Sequence, residues 1–299
     1  MAFMATTIRL PANFTLSAVQ RFTRGIVGPH GRPNDREFVF DFSALNFIDG
    51  TGFTVLSNTL EWLGSHGVRR RFSNFRNLDR PAIMYLDDCG FFKDYTGSRL
   101  RPKGNVRHSS LPCTAVQHAR AFGWLEHTFS PWLSAILEVS HYSLGSVRTC
   151  VKELFHNIND HSTKDTGFVH VQLYPNVREV RITVSDFGKG IPENIRGTFG
   201  PMKDGAAILH ASRDGVTSQS TPGNRGAGLA YLIDNVTSNS GSVRIHSYGG
   251  TLNCFRGKDG KPCRVAADGN GSYPGTLVDI TLDTRLFVGD DDERVEVEW

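Results

Sequence analysis

The sequence predicts an α/β protein with two domains, and three observations lead to this fold class. Residues 37–75 read as a strand, a helix and a second strand, which is the rhythm of a βαβ unit. Residues 168–187 alternate apolar and polar side chains in two runs, as paired strands do. The chain has 299 residues, of which 39% are hydrophobic, and this is enough for more than one core.

Composition excludes several classes of protein. The 33 basic and 30 acidic side chains nearly balance, with a net charge of +3, so no strong attraction to nucleic acid is expected. The first residues lack a basic segment followed by an apolar run, and no stretch approaches the roughly 18 apolar residues of a membrane helix. Five scattered cysteines without a C-x-x-C pair favour neither zinc nor a disulfide framework. We expect a cytoplasmic protein.

The first domain is assigned to residues 1–96. Residues 37–42 (EFVFDF) form an apolar run that predicts a buried strand, and a turn with Asp49, Gly50 and Gly52 follows. The next stretch, FTVLSNTLEWLGSHG, has apolar residues near helical spacing and ends in glycines, which predicts a helix. VRRRFSNF then predicts the second strand.

Residues 97–112 are basic, contain two prolines and show little periodicity, so they are interpreted as a linker. A second domain is assigned to 113–286, beginning with helix from about residue 113. After the paired strands come a glycine-rich stretch (188–228) and a helix. Two further strands flank a loop at 249–275, for which the sequence suggests no function. Residues 287–299 form an acidic tail.

One helix of the second domain has two different faces. At helical spacing, one stripe is apolar and consists of Val151, Leu154, Phe155 and Ile158. The opposite stripe carries Glu153, Asn157 and Asp160, with His161 beside them. A polar stripe of this kind is either simply solvated or part of a site, and the downstream sequence favours a site.

Two glycine-rich segments follow this helix. VSDFGKGIP places Asp186 at a strand end before Gly188 and Gly190, where a ligand can approach the backbone closely and a carboxylate can accept a hydrogen bond from an exocyclic amine. GNRGAGLAYLI, at residues 223–233, is a glycine-rich loop that opens a helix, and the free N–H groups there suit a phosphate. Each motif alone is weak, because turns use the same residues.

Together and in this order, E-x-x-x-N-x-x-D-H, D-x-G-x-G and G-x-G-L resemble the N, G1 and G2 boxes of the GHKL ATPases, the family of gyrase, Hsp90 and histidine kinases. GTLVDITL is similar to the closing strand of that family. The resemblance covers residues 113–286 and implies a Bergerat-type α/β sandwich, a mixed sheet under helices, that binds ATP with Mg²⁺. It also implies that residues 191–225 form a lid.

The resemblance implies a role for each matching residue. Asn157 would coordinate the Mg²⁺ ion, and Glu153 would be the general base or water-orienting carboxylate. Asp186 would bind the adenine amine with support from Thr276. The remaining nucleotide-binding candidates lie in the three boxes and are Asp160, Gly188, Lys189, Gly190, Arg225, Gly226 and Gly228.

The first domain resembles the STAS domain of bacterial anti-anti-sigma factors. The resemblance rests on a strand, an Asp-Gly-Thr-Gly sequence at residues 49–52, an amphipathic helix and the segment LDDCGFFKDY. In that family the hydroxyl residue before the glycine can be phosphorylated by a GHKL kinase, which makes Thr51 a candidate phosphoacceptor. The position of Gly50 departs from the family, where Ser is frequent. Thr51 can equally serve only as a helix cap.

Four functions compete at this point. The first is a serine/threonine protein kinase of the anti-sigma-factor type that works by partner switching, with a STAS-like or sigma-factor-like protein as partner. The second is a nucleotide-gated ATPase or switch without protein phosphorylation. A histidine kinase is disfavoured because Glu126 precedes His127 in LEHTFSPWL. A nucleic-acid binder is disfavoured because a run of three arginines, 69–71, is usually a solvated strand end and the overall charge is nearly balanced. Members of the resembled family often dimerise, which leaves a homodimer open.

Overall fold

The computed structural model describes residues 5–28, 31–161, 166–216 and 228–287, and it describes only the backbone at 158–161 and at 286. Within these ranges the chain builds two principal β-sheets. Each sheet has a hydrophobic core of its own.

The N-terminal part contains five short strands and four helices. The strands are β1 (Thr6–Arg9), β2 (Asn13–Phe14), β3 (Glu37–Asp41), β4 (Phe47–Ile48) and β5 (Arg69–Ser73). The helices are α1 (Val19–Arg24), α2 (Gly50–Ser65), α3 (Pro81–Asp88) and α4 (Phe91–Thr96). Strands β1, β3 and β5 pair in parallel with β3 in the centre, which confirms the βαβ prediction.

Phenylalanines fill the core of the N-terminal part. Phe38 and Phe40 in β3, and Phe42 directly after it, are fully buried. The ring of Phe42 lies 5.3 Å from that of Phe72 and 5.7 Å from that of Phe92, centroid to centroid. Tilted and edge-on ring pairs of this kind add to the free energy gained by burial. The apolar run of 37–42 is therefore the buried centre of this sheet.

The C-terminal part contains five longer strands and six helices. The strands are β6 (Ser110–Gln117), β7 (Thr166–Tyr174), β8 (Glu179–Asp186), β9 (Ser242–Arg256) and β10 (Pro262–Asp283). The helices are α5 (His118–Trp124), α6 (Ser130–Leu137), α7 (Gly145–His161), α8 (Gly190–Phe199), α9 (Asp204–Ala211) and α10 (Gly228–Ser238). The strand order is β6-β7-β8-β10-β9.

Helices cover one face of this sheet. Val180, Ile182 and Val184 alternate along β8 and are buried towards the helices. They share a core with apolar residues of α7 and α10, among them Leu154, Phe155, Leu232 and Ile233. The apolar residues at every second position of β8 and those at helical spacing on α7 thus pack into the same core.

The predicted mixed sheet is wrong for the described residues, because each strand pairing in the C-terminal sheet is antiparallel. The β7–β8 and β9–β10 connections are hairpins, and a hairpin reverses the chain direction. The only parallel strands in the described residues belong to the N-terminal part.

The predicted loop at 249–275 is also wrong, because β9 and β10 continue through it as a long hairpin. Its glycines conceal the strand pattern. A Cβ atom on Gly271 would lie 2.1 Å from the carbonyl oxygen of Gln20 in α1, and one on Gly269 would overlap the Gln20 side chain. These glycines therefore let the hairpin approach α1 closely, and they do not mark a loop.

Two boundary predictions are wrong as well. Residues 110–117 form edge strand β6, which includes the start of the predicted helix, and an irregularity in the pairing between Leu111 and Thr114 accommodates Pro112. The predicted turn at 49–52 is the first turn of α2. The Asp49 carboxylate caps this helix by accepting a hydrogen bond from the Gly52 amide at 2.9 Å.

The predicted linker (97–112) is fastened to the N-terminal part. The Asp87 side chain is fully buried, and its carboxylate accepts hydrogen bonds from the amides of Leu100 at 2.7 Å and Arg101 at 3.1 Å. The Arg99 guanidinium donates to the carbonyl oxygens of Asp87 and Gly104. The segment that joins the two sheets is therefore anchored at α3.

Helix α2 packs against the face of the C-terminal sheet that is opposite the helices, and we call this the reverse face. It is defined by Thr183 and Ser185 of β8, Asp279 of β10 and His170 of β7. These side chains are buried although all are polar. The N-terminal and C-terminal sheets are thus joined through helix α2.

Buried hydrogen bonds tie α2 to the reverse face. The Thr51 hydroxyl donates to Oδ2 of Asp279 at 2.5 Å and lies 3.3 Å from the Thr183 hydroxyl. About two turns further along α2, Nδ2 of Asn58 donates to Oγ of Ser185 at 2.6 Å. Loss of one partner would leave the other buried without a hydrogen bond, which costs about 1–3 kcal/mol. The docked arrangement is therefore stable only when all these hydrogen bonds are made.

His170 sets how closely α2 can approach. A Cβ atom on Gly50 would lie 2.5 Å from Nδ1 of His170, so a residue with a side chain does not fit at position 50 in this arrangement. Burial lowers the pKa of His170 to about 3, and the Tyr85 hydroxyl lies 2.8 Å from its Nε2. The ring is therefore neutral and fixed, and Gly50 is required by the interface.

No helix in the described part of the chain is long and apolar enough to span a membrane.

Asp49 gives a prediction about pH. Burial, with the nearby Asp279 carboxylate, raises the pKa of Asp49 to about 6, whereas its ordinary value is 3.8. The folded state therefore holds the proton more tightly, and the stability that this contributes is complete below pH 4 and lost as the pH rises through 6. An Asp49→Asn variant retains an oxygen for the helix cap. We expect its free energy of unfolding at pH 8 to be about 1–3 kcal/mol higher than that of the wild type.

Urea unfolding followed by circular dichroism at pH 4.5 and pH 8 measures this difference. The exposed Asp79 supplies the matched control, and Asp79→Asn should leave both values unchanged. The same gain for Asp49→Asn at the two pH values would contradict the assignment, because the gain would then not arise from ionisation.

Candidate functional site

The predicted polar face of α7 is confirmed as far as its side chains are described. Val151, Leu154 and Phe155 are buried, whereas Glu153 and Asn157 are half-buried on the other side of the helix. Glu153 and Asn157 are four residues apart, so their side chains lie one turn apart on the same face. Asp160 and His161 continue the helix, but their side chains lie outside the described residues.

Packing against α10 fixes the orientation of α7. Burial, and to a smaller extent the Glu153 carboxylate, raises the pKa of the Cys150 thiol to about 12. The thiol is therefore protonated, and it donates to Oδ1 of Asn235 in α10 at 3.7 Å. The two helices that carry the first and third boxes are thus in direct contact.

Asp186 and Thr276 are brought together by strand pairing. It is buried at the end of β8, and its Oδ1 accepts a hydrogen bond from the Gly188 amide at 2.7 Å. Thr276 is its direct partner in the antiparallel pairing of β8 with β10. By strand alternation, Asp186 shares the helix-covered face with Val184. The structure therefore brings together two candidates that are 90 positions apart in the sequence.

Backbone geometry at the second box requires glycine. Gly190 has a φ of 72°, and a Cβ atom there would lie 2.8 Å from Oγ of Ser247 and 2.9 Å from the carbonyl oxygen of Gly275. Lys189, directly before it, is exposed, and Gly188 is half-buried. The backbone at Gly190 is thus packed closely against β9 and β10.

Glu153 lies against the first residue of α10. A Cβ atom on Gly228 would be only 2.5 Å from Oε2 of Glu153. The first amides of a helix lack intrahelical partners and favour an anion, so the carboxylate lies where negative charge is favourable. Gly228 is therefore in contact with Glu153 at the start of α10, whereas Arg225 and Gly226 lie outside the described residues.

The sequence analysis missed Ser247. Its hydroxyl donates to the carbonyl oxygen of Gly275 at 2.5 Å and accepts from the Ile191 amide at 3.0 Å, so it joins the start of α8 to the interior of β9 and β10. A single serine in a strand has no local signature for this role. The positive φ of the next residue, Tyr248, at 51°, is likewise visible only in the structure.

The first part of the predicted lid is fixed to the sheet. Arg196 of α8 pairs with Asp204 of α9 at 2.6 Å, and the other oxygen of Asp204 accepts from the Gly249 amide at 2.9 Å. The Gly205 amide donates to Asp268 at 2.8 Å. Residues 190–211 are therefore packed against the β9–β10 hairpin, and residues 217–225 of the predicted lid lie outside the described residues.

The donor set agrees with a Mg²⁺ ion that is held mainly by phosphates. Within the described ranges, no group of three or more His, Cys, Asp or Glu side chains can hold a metal. Mg²⁺ bound with a nucleotide often takes only one or two protein oxygens, the others coming from phosphates and water. Asn157 on the half-buried face of α7 is a suitable single ligand.

The candidate phosphoacceptor is on the other side of the sheet. Thr51 is buried, with its hydroxyl on Asp279 and beside Thr183 on the reverse face. Asp186 is on the opposite, helix-covered face. The five-stranded sheet therefore separates the Thr51 hydroxyl from the nucleotide-binding candidates in this conformation.

Comparisons with known proteins agree with this geometry. Residues 144–286 match the family described as histidine kinase-, DNA gyrase B-, and HSP90-like ATPase. No curated protein matches the chain.

Among solved structures, the ATPase region of Saccharomyces cerevisiae topoisomerase II is similar at 15% identity with a TM-score of 0.24, and the match covers 39% of this chain and 32% of that chain. The same region bound to ICRF-187 (dexrazoxane) gives 16% identity, a TM-score of 0.23, and coverage of 40% of this chain and 32% of that chain. The chain thus spans about a third of the length of these structures.

The family match contains α7, β8, α10 and β10, which are the elements that carry Asn157, Asp186, Gly228 and Thr276. The match of residues 144–286 to the histidine kinase-, DNA gyrase B- and HSP90-like ATPase family supports ATP binding by the C-terminal part.

Proposed function

We propose that this chain is a Mg²⁺-ATP-binding regulatory protein that works by partner switching, with its own N-terminal part as the partner of its ATPase domain. The observation that carries the proposal is the position of α2. It lies on the reverse face of β8, and Asp186 at the end of β8 belongs to the candidate nucleotide site. Nucleotide binding and docking of α2 therefore act on the same strand.

The nucleotide would be held by residues from all three boxes. Asp186, supported by Thr276, would accept a hydrogen bond from the adenine amine. Asn157 would coordinate Mg²⁺, and the start of α10 at Gly228 would receive a phosphate. Lys189, Arg225, Gly226 and Asp160 are further proposals from the family resemblance. When bound, Mg²⁺-ATP supplies a phosphoryl group that can be transferred to water or to a hydroxyl group.

Glu153 is the proposed base. Its carboxylate is beside Gly228, where the phosphates are expected, so it is close to the reacting group. A carboxylate there can orient the attacking water or hydroxyl and accept its proton. It also competes with the phosphates for the helix N-terminus, so phosphate binding would displace or reorient Glu153.

A nucleotide-gated switch is the output that the geometry supports best. Ser185 and Asp186 are adjacent on β8 but point to opposite faces, since side chains alternate along a strand. Ser185 accepts a hydrogen bond from Asn58 of α2. A movement of the end of β8 on nucleotide binding would therefore alter the contact that holds the N-terminal part, with no phosphoryl transfer to protein.

A serine/threonine kinase of the anti-sigma-factor type is the second candidate, and the environment of Thr51 favours it. The N-terminal part would then be a STAS-like substrate. A phosphate on Thr51 would place about two negative charges beside Asp279 and Asp49, and like charges in a buried interface repel. Phosphorylation would thus release α2. Because the sheet separates the two sites, transfer would occur between molecules or after α2 has undocked.

The metal role of Asn157 can be tested by calorimetry. Asn157→Ala should weaken ATP binding about tenfold in Mg²⁺ and much less in EDTA, because only the metal-dependent part of the affinity depends on this amide. Asn176→Ala, at an exposed position in the β7–β8 turn, is the matched control. Unchanged affinity of Asn157→Ala in Mg²⁺ would refute the role.

Labelled nucleotide distinguishes the two outputs. The purified chain is incubated with Mg²⁺ and γ-labelled ATP, and the label is followed into protein and free phosphate. The switch predicts no label on the protein. Labelled protein would be mapped by mass spectrometry. A label at Thr51 that is lost in Thr51→Ala but kept in Thr96→Ala would establish the kinase. It would contradict a switch without phosphoryl transfer to protein. A rate per molecule that rises with protein concentration would identify transfer between molecules.

A further inference from the structure

A cleft of about 410 Å³ lies between the N-terminal part and the ATPase domain, away from the candidate nucleotide site. Its walls come from α2 and α4 on one side and from β6 and β7 on the other, with Phe187 at the end of β8 closing it. This volume is within the range of sites for small molecules. It is open to solvent at one side and so can be reached by a ligand.

Six aromatic side chains line the cleft. They are Phe53, Trp62, Phe91, Tyr95, Phe168 and Phe187. Trp62 and Phe187 meet edge-on with ring centroids 5.5 Å apart. The Tyr95 hydroxyl is already used, since it donates to the carbonyl oxygen of Ser57 at 3.2 Å. Aromatic faces of this kind attract both apolar groups and cations.

Two carboxylates lie at the open side of the cleft. Glu61 of α2 and Asp94 of α4 both line it and are exposed. Neither makes an ion pair in the described part of the chain. The lining residues that are described include no Lys, Arg or His. The local field thus favours a positively charged ligand.

We propose that this cleft binds a small organic cation, an amine on an aromatic or compact apolar body. The ammonium group would lie at Glu61 and Asp94, and the body would pack against the aromatic wall. An anion is disfavoured by the two carboxylates, and a large ligand by the volume. Carboxylate contacts fix the orientation of the ligand, and the rings supply contact area.

The position of the cleft indicates what the ligand would do. Asn58 lines the cleft and donates to Ser185, and Phe187 lines it one position after Asp186. A bound amine would therefore contact both α2 and the end of β8 and hold them together. Its effect on nucleotide affinity rests on the proposed function, whereas its binding does not.

Calorimetry of the full chain without nucleotide tests the binding, so the result is independent of whether ATP binds. The probe is phenethylamine. Its comparison compounds are 2-phenylethanol, which is neutral and of the same shape, and 3-phenylpropanoate, which is anionic. We expect phenethylamine to bind at least about tenfold more tightly than the alcohol, and the anion not to bind, because the carboxylates interact only with the cation.

Glu61→Gln and Asp94→Asn should each weaken phenethylamine binding about fivefold, since each removes one charge-assisted contact near solvent. Both positions are exposed, so folding should be retained. Asp259→Asn, in the exposed β9–β10 turn, is the control and should bind as the wild type does. Three results would each overturn the proposal. They are equal affinity for the amine and the alcohol, wild-type affinity in both Glu61→Gln and Asp94→Asn, and no heat of binding with about 10 mM amine, the limit for a weak site.

Discussion

The close approach of α2 to the reverse face of the ATPase sheet is the constraint on which the rest of the structure depends. Gly50 allows this approach, because any Cβ atom there would meet the neutral ring of His170. Once docked, the helix removes polar groups from water on both sides, and each needs a partner. Thr51 with Asp279 and Asn58 with Ser185 supply those partners. The close approach of α2 and these buried hydrogen bonds therefore depend on each other.

One consequence is that strand β8 serves both halves of the molecule. Residues of one parity (Val180, Ile182, Val184 and Asp186) face the helices and the candidate nucleotide site. Residues of the other parity (Thr183 and Ser185) face α2. A strand has little freedom to move one set of side chains without the other, so a ligand on one face biases contacts on the other. The cleft at Phe187 adds a third group of contacts at the same strand end.

The candidate site could be predicted largely from the sequence, whereas the interface could not. Glu153 and Asn157 are one helical turn apart, and Asp186 and Gly190 lie on one short segment, so local patterns specify their arrangement. The contact between Thr51 and Asp279 spans 228 positions. The polar residues of the reverse face alternate with apolar ones and so look solvent-facing in the sequence. The long β9–β10 hairpin could not be predicted for a related reason. Its glycines are required by close contact with a helix that is distant in the sequence, α1.

If nucleotide binding and docking of α2 are coupled through β8, amide hydrogen exchange in α2 responds to nucleotide. Exchange of residues 50–65 is compared with and without saturating Mg²⁺-ATP, with the Asn157→Ala variant as a control for occupancy and the N-terminal strand at 37–41 as an internal reference. We expect Mg²⁺-ATP to change exchange in 50–65 but not in 37–41, and we expect Asn157→Ala to need an about tenfold higher nucleotide concentration for the same change. Identical exchange of 50–65 in the free and the ATP-bound protein would contradict the coupling.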